Sequence, residues 1–455
     1  MTRRNLVTTI LLAAVLAAIP VAHGPAAQTP PAPTAAPAAG VSEPTRGPDS
    51  KDLFESIHVV VGPSSRALDP IAVSPFTCVD GAQGSCKEID DVLTKDLTLS
   101  GFFKVLDPAA FLGDPATADP SAPHWDNWFN VGAKYLVTVG VSKGASGVDL
   151  RFRLFSVGDR KSITVKGSTA TNVAPKGIRR AVHAFVNGII EAITGKPGIF
   201  GSQVLMSLKM PGFERVLQAM DMDGSGRRTV IENKSANMFP RWAPGGGVLY
   251  TSFLSGLPQI YVDDRRITHD DRQYRSAAFS PDGSRIVASV DMDGQSDLVI
   301  LDPKTGAITR RLTESEWDEV TPSWSPDGRS IAYCSNKTGR PQIYLMNGDG
   351  TGERRLTMRG SYNTSPRFGP TGLVAFAGMD DFVSDLFTVD MSGNINRLTQ
   401  QQGSNKDPAW SPDGRWLVFM SDRAGAWRVF LMTEDGRYQF PVTGKGEPVG
   451  TPDWR

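Results

Sequence analysis

Pro322-Ser-Trp-Ser-Pro-Asp-Gly328 decides the fold, because the chain repeats its pattern several times. Related copies are Phe239-Pro-Arg-Trp-Ala-Pro244, Ala277-Ala-Phe-Ser-Pro281, Pro366-Arg-Phe-Gly-Pro370 and Pro408-Ala-Trp-Ser-Pro412. Each sets an aromatic residue, a small residue and a proline in that order. Asp-Gly follows at Asp282-Gly283, Asp327-Gly328 and Asp413-Gly414. The period is roughly 40 to 45 residues, the length of a four-stranded propeller blade. The aromatic anchors the end of an innermost strand. Proline then stops ladder pairing, and Asp-Gly makes a tight turn.

The rest of each repeat fits the same blade. A second strand follows the turn, as in Ile331–Ser335 and Leu417–Ser421. A third carries another aromatic, as in Gln342–Met346 and Asp385–Val389. A polar outer strand ends in Leu-Thr at Leu312-Thr313, Leu356-Thr357 and Leu398-Thr399. The two ends are incomplete in complementary ways. Thr451-Pro-Asp-Trp454 is a sixth innermost strand with nothing after it, and Val204–Ser207, Val216–Met220 and Arg228–Ile231 lack an innermost strand. Joining them gives a six-bladed ring over residues 197–455, closed by the C-terminal strand, with no open sheet edge to aggregate.

Residues 51–196 read as an α+β domain, a mixed sheet with two main helices on one face. Ile57–Val61, Ile71–Val73 and Tyr135–Val141 are apolar strands, and Val148, Leu150, Phe152 and Leu154 alternate with polar residues. Ile89, Val92, Leu93 and Leu97 recur at helical spacing before Gly101. Ile178, Val182, Phe185, Ile189 and Ile193 do so before Gly195. Upstream, residues 25–50 are a Pro/Ala-rich tether unable to bury a core. Residues 1–24 carry Arg3, Arg4 and the apolar stretch Leu6–Val21, a signal peptide pattern too short for a spanning helix. Thr2-Arg-Arg-Asn-Leu6 leaves general and twin-arginine export both open.

Lys+Arg and Asp+Glu are both 48, so the formal net charge is zero. That balance argues against broad binding to nucleic acid or to an anionic membrane. No catalytic constellation stands up. Gly140-Val-Ser-Lys-Gly144 matches a nucleophile elbow in letters, but Gly147 and a second strand follow it, which makes a hairpin. His58, His124, His183 and His269 share no metal-type spacing. Asp221-Met-Asp-Gly224 and Asp291-Met-Asp-Gly294 lack the remaining ligands of a calcium loop and read as turns. The expected metals and cofactors are therefore none. Cys78 and Cys86 bracket a short loop. In an oxidising compartment they can form a local disulfide, and otherwise they are two thiols. Cys334 lies in an apolar strand and reads as core.

The repeats, the domain order and the leader together resemble the TolB family, the periplasmic propeller component of the Tol-Pal system. The stretches that carry the resemblance are Pro70–Phe76, Asp96–Phe103, Trp125–Val141, Ile193–Lys196, Trp324–Gly328, Gly339–Tyr344, Leu356-Thr357 and Asp435–Arg437. The resemblance implies a non-catalytic periplasmic monomer that binds the peptidoglycan-associated lipoprotein Pal and the inner-membrane protein TolA. It leaves room for other outer-membrane lipoproteins, and it implies a role in envelope integrity and in constriction at division. It places Pal on the loops leading into innermost strands, here Gln273, Tyr274, Arg275, Ser276, Glu319, Val320, Asn363, Thr364 and Lys406. It places TolA on Lys51, Asp52, Leu53, Phe54, Glu55 and Ser56. The tether ahead of that segment departs from the family pattern.

Two other readings compete. An exported peptidase or hydrolase with a propeller would need a Ser-Asp-His domain larger than the residues ahead of the ring provide. A periplasmic ligand-binding propeller would need polar groups converging on the central channel.

Overall fold

The computed structural model describes residues 68–111, 121–380, 382–444, 447 and 449–455. The expected signal peptide, tether, Lys51–Ser56 segment and Ile57–Val61 strand lie outside them. The first domain is a mixed sheet in the order β2-β1-β3-β4-β5, with β6 also paired to β4. Its strands are β1 (Asp69–Val73), β2 (Phe103–Val105), β3 (Tyr135–Lys143), β4 (Val148–Ser156), β5 (Lys161–Ile163) and β6 (Thr169–Val173). β1 runs parallel to both β2 and β3, and β3–β4 is the hairpin that carries Ser142.

Among the described residues three α-helices complete the domain: α1 (Gln83–Leu99), the short α2 (Trp125–Asn130) and α3 (Ile178–Thr194). The apolar stripes of α1 and α3 are buried together with the inner residues of β3 and β4, and Phe185 stacks on Phe152 at 4.7 Å. Gly195 caps α3 in the left-handed conformation, φ 77°, which only glycine adopts without strain. Cys78 and Cys86 form a disulfide that ties the chain leaving β1 to the start of α1.

Six four-stranded antiparallel sheets follow. Blades 1 to 5 span 237–266, 274–311, 319–355, 363–397 and 405–441. Blade 6 pairs the C-terminal strand Val449–Trp454 with Gln203–Lys209, so strands from distant parts of the chain close the ring. Arg455 extends the closure. Its backbone exchanges hydrogen bonds with Gln203, and its guanidinium stacks on Trp242 of blade 1 at 3.7 Å.

The repeated residues have local jobs. Ser325 Oγ donates to Asp327 Oδ1 at 2.6 Å, and the same oxygen accepts from the Arg329 amide, so Ser-Pro-Asp-Gly ties its own turn. Ser280–Asp282 and Ser411–Asp413 repeat the pattern. The threonine of Leu-Thr fastens the outer strand to the third. Thr399 Oγ1 accepts from the Leu386 amide and donates to buried Asp385, and Thr357 does the same with Ile343 and Gln342. The innermost strands hold one feature that spacing did not predict. The residue before each inner proline has positive φ, at Phe239, Thr321, Ser365, Asp407 and Thr451, and each stands in a β-bulge. Proline cannot donate to the ladder, and the bulge carries it past the missing bond. Blade 2 has Ala277 there instead, and Ser276 keeps ordinary φ.

Candidate docking face

An antiparallel meander gives each blade two ends. The loops leading into innermost strands and the loops joining second to third strands share one face of the ring, the loop face. The Asp-Gly turns and the turns joining third to fourth strands share the other, the turn face.

The first domain sits at the turn face of blades 5 and 6. Gly101 approaches Trp416 and Thr433 so closely that an added Cβ would meet the Trp416 ring at 3.3 Å. Arg415 donates to the Pro197 carbonyl, and Met222, Trp416 and Trp454 share one core with α1 and α3. Asp223, in the 221–228 turn of blade 6, is the polar centre of this contact. It accepts from Arg179 of α3 and from Ser225, and Lys95 of α1 stands 3.8 Å away. Burial pushes the Asp223 carboxyl up, but Lys95, Arg179 and the hydrogen bonds from Ser225 together outweigh burial and hold it below its ordinary value. Beside it, His183 Nδ1 and Asp96 Oδ2 are 2.6 Å apart, both buried. Burial raises the Asp96 carboxyl to about 6. Burial also pushes the His183 imidazole down, yet Asp96 and Asp223 together hold it above its ordinary value. Asp96, His183 and Asp223 lie within 4.8 Å of one another. Two cations already neutralise Asp223, so the group works as an ion-pair network across the domain contact.

The loop face carries several exposed apolar side chains among the described residues. Phe213, Leu254, Trp317, Met358 and Phe382 are all exposed, Phe382 by 84% and Phe213 by 82%. Phe213, Leu254 and Phe382 stand between second and third strands, and Trp317 and Met358 stand ahead of innermost strands. Among the described residues of the propeller, the only large apolar side chain exposed on the turn face is Met391, at 37%. The five on the loop face belong to blades 6, 1, 3 and 4, and all stand at the same end of their blades.

The residues picked from the sequence divide within this face. Gln273, Arg275, Val320, Thr364 and Lys406 are partly accessible around the channel mouth. Arg275 is held by a two-point ion pair to Asp291, and Lys406 lies over the Trp427 ring at 4.1 Å. Tyr274, Ser276, Glu319 and Asn363 are buried. Tyr274 donates to Asp270, Glu319 accepts from Ser315 and Ser335, and Asn363 donates to Gln342. These four shape the loops, and the exposed apolar tips stand beside them.

A model of the TolB amino-terminal domain matches residues 57–163, and one of the TolB β-propeller domain matches residues 190–377. The Tol-Pal system protein TolB of Anaeromyxobacter dehalogenans (strain 2CP-1) is 35% identical over 414 residues, covering 87% of this chain and 93% of its own. That of Bordetella pertussis is 30% identical over 413 residues, covering 78% and 91%. The crystal structure of TolB from Acinetobacter baumannii superposes with a TM-score of 0.74 at 24% identity, covering 87% of this chain and 98% of that one.

Proposed function

This chain belongs to the TolB family of Tol-Pal system proteins, and from that premise we propose that it is a non-catalytic periplasmic adaptor that docks Pal on its loop face. In this reading the segment Lys51–Ser56 engages TolA, as an extended strand added to a sheet edge. Linking the two partners supports envelope integrity and constriction at division.

One observation carries the Pal assignment. Phe213, Leu254, Trp317, Met358 and Phe382 are exposed at the loop end of their blades, and the first domain covers part of the opposite face. Chemistry fits an adaptor as well. Ser142 lies on the β3–β4 hairpin, and His183 is buried against Asp96. A photo-crosslinking residue at position 317 tests the proposal in cells, with position 391 on the turn face as control. The expected product is a peptidoglycan-bound lipoprotein attached at 317 and absent at 391. Equal capture at both positions, or none at 317, rejects it.

A further inference from the structure

The channel ends at the turn face in a cavity of about 300 Å³, at the lower end of the range for small-ligand sites. One layer of six residues rings it, one from each innermost strand: Arg241, Ala278, Ser323, Arg367, Ala409 and Asp453. The two arginines come from blades 1 and 4, on opposite sides of a six-bladed ring.

Their surroundings match by a two-fold relation between blades three apart. Arg367 Nη2 reaches the Pro452 carbonyl of blade 6 at 3.3 Å, and Arg241 Nη2 reaches the Pro322 carbonyl of blade 3 at 3.5 Å. The residue after each proline holds the next blade. Asp453 Oδ2 accepts from the Trp242 amide at 2.7 Å, and Ser323 Oγ accepts from the Phe368 amide at 3.0 Å. The relation then breaks. Asp453 has a second oxygen, and Oδ1 pairs with Arg367 at 3.0 Å. Ser323 has only one oxygen, already engaged with the Phe368 amide. Arg241 therefore faces the cavity with no carboxylate within ion-pair distance among the described residues. Asp407, on the innermost strand of blade 5, acts on Arg367 and accepts from Ser365.

A guanidinium in a confined, aromatic-walled cavity is stabilised by a charge-assisted partner and is costly without one. Ala278, Ser323 and Ala409 leave the room that such a partner needs. We propose that the turn-face end of the channel binds a small oxyanion, a carboxylate or phosphate group, on Arg241 at the place where blade 3 carries Ser323 instead of an aspartate. The site lies on the face opposite the docking loops and stands independently of the partner assignment.

The test is the thermal midpoint of the full chain in inorganic phosphate or acetate, against chloride at equal ionic strength. In the wild type, phosphate or acetate should raise the midpoint, with a shift that grows with the logarithm of concentration above the dissociation constant. Arg241→Gln should abolish that shift. Ser323→Asp keeps the arginine and supplies the missing carboxylate, so it should raise the midpoint in chloride and remove the response to added anion. A wild type that responds to neither anion overturns the proposal, and so does an undiminished response in either variant.

Discussion

Trp454→Ala tests whether the last strand closes the ring. Trp454 is buried, shares a core with Val204, Met206 and Val418, and donates from Nε1 to Ser202 Oγ at 2.8 Å. Truncating a buried tryptophan costs about 3–5 kcal/mol through lost transfer energy and the cavity left behind. The lost hydrogen bond, about 1 kcal/mol, is part of that figure and places this site in its upper half. A native stability of about 5–15 kcal/mol makes such a loss a large fraction of the total. Guanidinium unfolding followed by circular dichroism measures it, with Met391→Ala, a half-exposed site, expected to stay within about 0.5 kcal/mol of wild type. A Trp454→Ala loss below about 1 kcal/mol would refute closure by this strand.

Further outcomes follow from the same contacts. Stability should fall as pH rises above neutrality. The folded state holds His183 protonated above its ordinary value near 6.5, so that contribution is full below 6.5 and is lost as pH passes the raised value. Asp96, raised from 3.8 to about 6, adds a slope of the same sign between those values. His183→Gln should flatten the upper part of the profile, by at most about 1.4 kcal/mol per pH unit in urea titrations. An unchanged slope counts against the network. Thr399→Ala should cost about 1–3 kcal/mol, because Asp385 and the Leu386 amide lose a buried partner. An exposed-site value near zero would contradict that role. Replacing Cys78 and Cys86 with serine should cost about 2.5 kcal/mol, the closure entropy of so short a loop. Calorimetry of the double variant reads it, and no loss would show that the disulfide leaves the domain's stability unchanged.

Much of the fold is written in the local sequence. The aromatic-small-Pro period, the Asp-Gly turns and the unfinished first and last blades need only neighbours along the chain to be read. The helical stripes before Gly101 and Gly195 are equally local. Other features depend on what packing brings together. Asp221–Gly224 reads correctly as a turn, but nothing near it in sequence reveals that Asp223 is buried against Lys95 and Arg179 of the other domain. The partnership of Asp96 with His183 is hidden for the same reason. Tyr274, Glu319 and Asn363 look like surface residues by type, yet they start strands that run between blades, where Asp270, Ser335 and Gln342 satisfy them. Trp317, Met358 and Phe382 fall in loops of unrelated sequence, and only the meander puts them on one face. That Arg241 has no carboxylate partner among the described residues stands out only when blade 1 is laid over blade 4.

Binding of purified Pal to wild type and to face variants is the most direct test of the docking assignment. Trp317→Ala combined with Met358→Ala on the loop face should weaken binding at least tenfold, which corresponds to about 1.4 kcal/mol. Met391→Ala on the turn face should leave it unchanged. Equal affinity across all three proteins, or a loss confined to Met391→Ala, would contradict it.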